Sequence, residues 1–453
     1  MGQHKINQIK AGILLKKEKI TMSDKIEEVG VLDNTFKRKT LENGIDIYVH
    51  STSKFKTTTF CLFIHQDLAK QTATKTALLP FILKRGSKNF PTSRSLSLFL
   101  ENLYGTNMGG DILKRGETQI LQFFMETINP KHINGENILR KGLTAFRDMI
   151  LDPLIEEEGF KKDYVSQEKD ILKRNIESLY NDKFSYVIER CFQEMCKDEA
   201  FSIYRYGNVG DLGFIDNKNL YSYYRECLSR CPIDFFVLGD VNEQEIEYMI
   251  EEIFSFERKE VKQVKTDFVS KVIGEPNYVE EKQDVNQGKL TMGFRTNTRY
   301  GDEDYYALMV YNGILGGGTH SKLFQNVREK ASLAYYAFSR LEKNKGLMLI
   351  SSGIEFGNKD KTLDIINQQL DDIREGKISD YEFDSTIKSL VNSFKEAADT
   401  PSMIISLYLN GIINGVQKST EEIIENLYNI TKEDVINVSQ KVSLDTVFFL
   451  NKK

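Results

Sequence analysis

The sequence predicts an α+β protein of two homologous halves, each an antiparallel sheet covered by helices on one face. Three observations support this prediction. The succession of one strand, two helices, two strands and two helices occurs twice along the chain, and each copy ends in a further β segment. Apolar side chains in the helical segments recur at steps of 3 and 4, the spacing of one helix face. A charged stretch separates the two copies, as expected of a linker.

Hydrophobic periodicity and turn residues place the elements of both copies. The first copy contains strand Thr57–His65, helices Thr74–Arg85 and Ser93–Tyr104, strands Asp111–Lys114 and Thr118–Glu126, helix Leu139–Ile150, a helix from about Glu158 to Tyr180, and strand Ile233–Leu238. The second contains strand Lys289–Arg295, helices Asp304–Leu315 and Ser321–Lys330, strands Leu333–Leu341 and Gly346–Ile354, helices Leu363–Ile373 and Phe383–Phe394, and strand Thr446–Leu450. Two related halves usually leave a cleft between them, where ligands commonly bind.

This layout predicts four segments along the chain. They are an extension (residues 1–21), a first domain (22–255), a linker (256–277) and a second domain (278–453). We expect the extension to precede the natural start at Met22, because the codons for Lys17-Glu18 can match a bacterial ribosome-binding site.

Charge and hydropathy argue against two classes of partner. The 61 Lys and Arg residues are outnumbered by 66 Asp and Glu residues, which gives an interspersed net charge of -5. A nucleic-acid-binding protein would usually show a basic excess. No apolar run approaches the roughly 20 residues that a membrane-spanning helix needs, and the longest, Ala77–Leu83, contains Pro80. We therefore expect neither nucleic acid nor a membrane as partner.

The cysteines predict a reducing, cytoplasmic location. Cys61, Cys191, Cys196, Cys227 and Cys231 are sparse and odd in number, and no convincing secretion signal precedes them, so free thiols are expected. The pairs Cys191/Cys196 and Cys227/Cys231 leave open a four-thiolate zinc site. Neither pair has the C-x2-C spacing of most structural zinc sites.

The residues that common hydrolytic chemistry requires are missing. The five histidines are widely spaced, so neither H-x-x-E-H nor H-E-x-x-H, the spacings that place two imidazoles on one zinc ion, occurs. A G-x-S-x-G nucleophile motif is also absent. The run Gly316–Lys322 lacks the Gly-Lys-Ser/Thr order of a phosphate-binding loop. We interpret its three glycines as a tight turn before a helix, whose N-terminus remains open to an anion or a peptide carboxylate.

Residues Gly316–Tyr335 form a glycine turn and a helix, followed by an arginine and a tyrosine seven residues apart. They resemble the second half of the pitrilysin and mitochondrial processing peptidase family (M16, insulinase-like). These are zinc peptidases of two homologous α+β halves, and the resemblance extends over 22–453. In the family, the arginine and tyrosine reach across the cleft to the substrate. The resemblance assigns this role to Arg328 and Tyr335, which can hold a peptide carbonyl or the oxyanion formed from it. Tyr336 alternates to the other face of the strand.

In the first half, Leu83–Lys88 resembles the segment that follows the family's H-x-x-E-H helix. The alignment puts Ala77 and Phe81 at the two metal-binding histidines, Pro80 at the general-base glutamate, and Asn175 at the distant ligand glutamate. Alanine and phenylalanine cannot bind Zn²⁺, and a neutral amide is a poor replacement for a carboxylate. Proline cannot accept the proton and removes a helix donor. The resemblance therefore implies a lost metal site.

The resemblance also implies a function shared between two chains. In several heterodimeric members, one subunit carries the metal helix and the other carries the arginine and tyrosine. We predict that this chain is a non-catalytic subunit of the second kind, without a metal of its own, which binds peptide and completes the active site of a zinc-bearing partner. Segments Leu79–Gly86 and Ile176–Lys183 narrow the resemblance to bacterial members associated with aminopentanol modification of elongation factor P.

Two other functions remain open. The chain could be a stand-alone peptide-binding or scaffold protein, in which an exposed strand edge adds a peptide strand. Met108–Lys114 is the candidate edge, because Gly109-Gly110 would leave its backbone approachable. An enzyme of different chemistry would have to use the cysteines or Glu177, and no nucleophile has a base at a recognisable spacing. A homodimer also remains open.

Overall fold

The computed structural model describes residues 35–133, 137–265 and 270–453. The extension predicted over residues 1–21 lies outside the described residues. One large sheet is built from strands between Lys37 and Gly239, and the other from strands between Asn277 and Lys452. Helices pack against both sheets, so the predicted α+β fold of two halves is confirmed.

The first half contains a six-stranded sheet with the order β1-β2-β8-β3-β5-β4. Its elements are β1 (Lys37–Thr40), β2 (Ile45–Ser51), β3 (Thr57–Asp67), α1 (Ala73–Leu83), α2 (Ser93–Asn102), β4 (Asn107–Arg115), β5 (Thr118–Ile128), α3 (Ile138–Leu151), β6 (Ile155–Glu156), β7 (Gly159–Phe160), α4 (Lys162–Ser178), α5 (Lys183–Met195), α6 (Asn217–Arg230), β8 (Ile233–Gly239) and α7 (Glu243–Ile253).

The second half contains a five-stranded sheet with the order β11-β12-β10-β13-β9. Its elements are β9 (Asn277–Gln283), β10 (Gly288–Arg295), α8 (Tyr305–Gly316), a π-helix (Phe324–Lys330), β11 (Ala334–Glu342), β12 (Leu347–Ile354), α9 (Lys359–Arg374), α10 (Asp380–Ala397), α11 (Pro401–Asn414), α12 (Thr420–Asn429), α13 (Lys432–Ser439) and β13 (Ser443–Lys452).

The two sheets share one topology. Strands β9, β13, β10, β12 and β11 of the second sheet correspond in order to β2, β8, β3, β5 and β4 of the first. The pairs β2–β8 and β9–β13 are parallel, whereas the other pairs among the described strands are antiparallel. The predicted antiparallel sheets therefore each contain one parallel pair, at the same place in both halves. Strands β4 and β11 form equivalent edges, which confirms the edge position predicted for Met108–Lys114.

Each half covers the outer face of the other half's sheet with one helix. On the inner face of the first sheet, Phe60, Leu62 and Ile64 of β3 belong to one core with residues of helices α1 and α3. Cys61 and Phe63 alternate to the outer face, where they cluster with residues of α11 from the second half. In the same way, residues of α5 from the first half cluster with residues of β12 and β13 on the outer face of the second sheet.

The prediction of helices on one face of each sheet is therefore right for the helices that pack against the sheet of their own half. The exchange of α5 and α11 goes beyond it, because an amphipathic face shows which residues are buried but not what buries them. The exchange therefore joins the two halves through two apolar clusters, one beneath each exchanged helix.

The strands and helices placed by periodicity are all present, within a few residues of their predicted bounds. Strands β1, β2, β6, β7 and β9 and helices α5, α6, α7 and α11 to α13 were not predicted, and β7 occupies the predicted start of helix α4. Strand β9 begins at Asn277, the last residue of the predicted linker. No helix in the described ranges is long and apolar enough to cross a membrane.

The cysteines are free thiols, as predicted, and they lie in separate places. Cys191 and Cys196 belong to the cluster beneath α5, on the outer face of the second sheet. Cys227 belongs to the inner core of the first half, with Cys231 packed against it. The two pairs are therefore not neighbours, and the four-thiolate zinc alternative is wrong.

Candidate functional site

Helix α1 carries three of the four positions where the metal site is predicted to be lost. Ala77 is fully buried, Pro80 is buried and Phe81 is half-buried. The Phe81 ring lies against Tyr206, with 6.4 Å between the ring centroids. Pro80 lies inside the helix and cannot donate a backbone hydrogen bond there. At these positions α1 therefore presents apolar contacts instead of ligands and a base.

Pro80 also explains a glycine in the neighbouring edge strand. A Cβ on Gly110 of β4 would lie 3.1 Å from the Pro80 Cβ and 3.0 Å from the ring of Phe123. A Cβ on Gly109 would lie 2.6 Å from the ring of Phe124. The two glycines therefore make room for side chains of this chain, whereas the sequence suggested that they leave the backbone open to a ligand. Strand β4 remains unpaired on its outer side among the described strands.

The fourth position, Asn175, lies on helix α4, which packs against α1. The end of α1 is fixed to α4 by Arg85, whose Nε donates to a carboxylate oxygen of Glu168. The Glu168 side chain is almost fully buried, so this ion pair holds the two helices together. Asn175 lies two turns further along α4 and is exposed, as is Glu177. Both therefore face solvent, and the pair from Arg85 to Glu168 is the buried polar contact between these helices that the structure provides.

Arg328 lies in an irregular helix of the second half. Residues Phe324–Lys330 form a π-helix, a form that occurs frequently at functional sites. The Arg328 side chain is 43% exposed. Its guanidinium carbon lies 4.7 Å from the centroid of the Phe324 ring, and its Nε lies 3.6 Å from a carboxylate oxygen of Glu329. These contacts keep the guanidinium at the surface with most of its donors free for a ligand.

Tyr335 is the extra residue of a β-bulge in edge strand β11. Ala334 pairs with Ile354 and Tyr336 pairs with Gly353, so Tyr335 has no partner in the ladder. Bulges re-aim side chains, and the Tyr335 side chain is 78% exposed. Tyr336 lies in different surroundings, because its ring packs against Phe184 with 5.3 Å between centroids and burial raises its pKa.

The segment before this pair contains further irregular backbone. Ser332, between the π-helix and β11, has a φ of +52°, in the left-handed region that a non-glycine residue seldom adopts. The π-helix, Ser332 and the bulge follow one another within Phe324–Tyr335. Such departures from regular geometry cost free energy and concentrate at functional sites. They mark this segment as the part of the second half shaped for binding.

The three glycines lead into the tight turn predicted before the helix, in which the Ser321 amide donates to the Gly318 carbonyl at 3.1 Å, and Gly316 also permits close packing. A Cβ on Gly316 would lie 2.3 Å from the backbone nitrogen of Ser339 in β11. Lys322 is buried, with its ammonium 3.0 Å from a carboxylate oxygen of Glu382 and donating to the Lys377 carbonyl at 2.7 Å. The lysine is therefore occupied within the fold, consistent with the absence of a phosphate-loop motif.

A buried charge network joins the halves, and sequence reasoning missed it. Glu199, which follows α5 of the first half, pairs with Arg295 at 2.6 Å and with Lys345 at 2.8 Å in the second half. Lys345 also pairs with Glu117 in the turn after β4, and Arg295 with Asp445 at 2.9 Å. Burial alone would raise the pKa of Glu199, but the hydrogen bonds from Arg295 and Lys345 outweigh it and the net shift is downward.

The cysteines and Glu177 do not form an activated pair. Burial raises the pKa of the Cys61 and Cys196 thiols to about 12, and neutral thiols are poor nucleophiles. The pKa of Cys231 is lowered, chiefly by a hydrogen bond from Cys227. That contact joins two thiols rather than a nucleophile and a base. Glu177 is exposed on α4.

The two halves thus divide the features of a peptidase site. The first half supplies a helix with apolar residues, Ala77, Pro80 and Phe81, at the positions predicted for two ligands and a base. The second half supplies an exposed arginine and tyrosine on irregular backbone. In the described part of the chain, no group of three or more His, Cys, Asp or Glu side chains is arranged to hold a metal ion. Fold and site together define a peptidase-like protein of two homologous halves without the residues of a catalytic metal helix.

Comparison with known proteins identifies the family to which this chain belongs. Residues 215–390 match the family model described as "Peptidase M16 inactive domain". The chain is 36% identical over 413 residues to the "Probable inactive metalloprotease YmfF" of Bacillus subtilis, an alignment that covers 91% of this chain and 97% of that protein. The chain belongs to the M16 peptidase family, which confirms the family resemblance seen in the sequence.

Solved structures have the same fold as this chain. A conserved protein from Enterococcus faecalis V583 superimposes with a TM-score of 0.87 at 30% identity, over 92% of this chain and 99% of that one. A protease from Helicobacter pylori superimposes with a TM-score of 0.77 at 16% identity, again over 92% and 99% of the two chains. At that identity the second likeness shows the fold alone.

Proposed function

We propose that this chain is the non-catalytic subunit of a heterodimeric M16 peptidase, in which it binds peptide and completes the active site of a metal-bearing partner. The observation that supports the proposal is a difference between the two halves in the residues available for a peptidase site. Helix α1 has apolar residues at the positions that the resemblance assigns to the ligands and the base, whereas the segment Phe324–Tyr335 presents Arg328 and Tyr335 to solvent.

The geometry supports a role in holding a peptide. Arg328 offers guanidinium donors, and Tyr335 offers a neutral hydroxyl beside an unpaired strand edge. A peptide strand added to β4 or β11 would find backbone partners there, in the mode of β-strand addition. Donors aimed at a carbonyl also stabilise the oxyanion that develops when the carbonyl is attacked.

The proposal assigns the chemistry and the cofactor to the partner. A partner with an intact H-x-x-E-H helix would bind zinc and activate the water, and this chain would need no metal of its own. We place the pair in the cytoplasm, since free thiols suit a reducing compartment. Through the resemblance noted in the sequence, we also place it in a pathway associated with elongation factor P modification.

Assembly provides the test of this proposal. We expect the purified chain, mixed with a metal-bearing M16 protein from the same genome, to form a 1:1 complex by light scattering and native mass spectrometry. We expect metal analysis to find one zinc ion per complex, because only one chain carries ligands. A Glu177→Gln variant is the control and should assemble normally, because Glu177 is exposed. Stoichiometric zinc on this chain alone, or the absence of a complex, would contradict the proposal.

One observation favours a second function, a stand-alone peptide-binding or scaffold protein. Both sheets end in an unpaired strand among the described residues, so a peptide can be bound without any cleavage. Tight binding of an unfolded peptide by the isolated chain, with no M16 protein bound to it in cells, would favour this function over the heterodimer.

A further inference from the structure

A cavity of about 450 Å³ lies between the outer face of the first sheet and helix α11 of the second half. It is on the opposite face of the sheet from α1, and its volume falls within the range of roughly 300 to 1,000 Å³ that small-molecule sites occupy. Polar side chains of five strands line it, and apolar side chains of α11 cover it. The lining includes Arg38, Asp46, Tyr48, His65, Asp234, Val264 and Ile412.

The polar end of the cavity contains a buried pair of titratable groups. His65 Nε2 lies 2.8 Å from Asp234 Oδ2, and both side chains are 7% exposed. Asp46 also lines the cavity, but Arg38 holds it with two hydrogen bonds, at 3.1 Å and 2.9 Å. The charges of Arg38 and Asp46 therefore compensate each other, and Asp234 has the imidazole as its partner.

The second half shows what occupies the equivalent place there. Strands β3 and β8 of the first sheet correspond to β10 and β13 of the second, and His65 and Arg295 both lie near the end of their strands on the outer face. The Arg295 guanidinium reaches Asp445 at 2.9 Å.

The Arg295 guanidinium also contacts the end of helix α5, which the first half contributes. It donates to the Met195 carbonyl at the end of α5 at 2.8 Å, and to Glu199 at 2.6 Å. In the second half a buried cation thus joins the sheet aspartate to the end of the covering helix.

The first half also has an aspartate on the corresponding strand, Asp234 of β8, and the end of an exchanged helix, but a shorter side chain lies between them. His65 cannot reach as far as an arginine, and the space beyond it is the cavity. The last turn of α11 lines that space with Gly411, Ile412 and Ile413. A helix C-terminus carries a partial negative charge that favours a cation. The surroundings of the cavity therefore suit a cationic group, such as the guanidinium that Arg295 supplies in the second half.

We propose that this cavity binds a small organic cation, with an ammonium or amidinium-like group at Asp234 and an apolar or aromatic body against Tyr48 and Ile412. The cationic group takes the place that the Arg295 guanidinium fills in the second half, between the sheet carboxylate and the end of the exchanged helix. Since the cavity is lined by both halves, the ligand joins them at this point. The site is independent of the proposed peptidase partner.

Calorimetric titration of the full chain with benzamidine, and with its neutral isostere benzamide, tests the proposal. We expect benzamidine to bind and to raise the melting temperature, and benzamide to bind at least about 10-fold more weakly, the factor that a charge-assisted hydrogen bond confers. Asp234→Asn should weaken benzamidine binding by a similar factor. The matched control Asp240→Asn, at an aspartate just after β8 that pairs with Lys131, should bind as the native chain does.

A second variant keeps the test decisive if Asp234→Asn fails to fold. Val264→Trp places a large ring in the cavity from the partly exposed segment after α7, without changing the pair of His65 and Asp234. It should abolish benzamidine binding and leave the melting temperature of the free protein unchanged. Equal affinity for benzamidine and benzamide, preference for benzoate, undiminished binding by Val264→Trp, or no binding of benzamidine to the native chain would each overturn the proposal.

Discussion

Replacing Arg328 by alanine, or Tyr335 by phenylalanine, should reduce kcat/KM of the reconstituted heterodimer by about 100-fold or more each. This is the loss that follows removal of one oxyanion donor in a peptidase. The reduction should fall mainly on kcat, because a contact that strengthens in the transition state lowers turnover when it is removed. Initial rates of peptide cleavage over a range of substrate concentrations separate kcat from KM.

The exposure of both side chains and the presence of exposed control residues allow this experiment to separate catalysis from folding. Arg328 and Tyr335 are 43% and 78% exposed, so neither substitution should change the melting temperature or assembly. Arg340→Ala, in the same strand as Tyr335, and Tyr278→Phe, in the opposite edge strand β9, are exposed controls that should leave kcat/KM unchanged. Normal cleavage by the double variant Arg328→Ala, Tyr335→Phe would show that this segment takes no part in the reaction.

The largest effect on stability is expected at Arg295. Its side chain is 3% exposed and holds Asp445 and Glu199, so Arg295→Ala leaves two carboxylates without their main partner in a buried place. Breaking a buried pair in this way costs about 3–5 kcal/mol of the free energy of unfolding. Urea denaturation followed by circular dichroism measures the loss. Arg140→Ala is the matched control, because its pair with Glu252 is exposed and screened by solvent, so its removal should change stability little.

The same network predicts how stability responds to acid. Since the folded pKa of Glu199 is lowered below its ordinary value of 4.5, its contribution is fully present above that value and is lost as pH falls through the folded pKa. The native chain should therefore lose stability below about pH 4.5, and Arg295→Ala should lose less over the same interval. An equal acid response in both proteins would show that Arg295 does not hold the Glu199 carboxylate.

The sequence predicted much of this fold because both halves display strong periodicity. Phe60, Leu62 and Ile64 alternate with Cys61 and Phe63, and that alternation placed β3 correctly. The exchange of helices α5 and α11 between the halves escaped prediction, because an amphipathic face does not indicate which element it packs against. The charge network of Glu199 and Arg295 escaped for the same reason, as its members lie 96 residues apart.

The candidate site was predictable in its residues but not in its geometry. The resemblance of Leu83–Lys88 to the segment after the family's metal helix predicted a lost metal site at Ala77 and Phe81, and no histidine lies between His65 and His132 to restore it. The exposure of Tyr335 depends on a bulge, which is a property of strand pairing and leaves no mark on the local pattern. The close contact of Gly316 with Ser339 was not predicted either, because Ser339 lies in β11, more than 20 residues away.

The central claim is that this chain completes a peptidase site without being a peptidase itself. The most direct test measures peptide cleavage and bound zinc for this chain alone, for a metal-bearing M16 partner alone, and for the two together. We predict a metal-free, inert chain, a partner with little activity alone, and a mixture that cleaves in a manner dependent on Arg328 and Tyr335. Stoichiometric zinc and cleavage by this chain alone would contradict the claim, and with it the assignment of Ala77, Pro80 and Phe81 to a lost metal site.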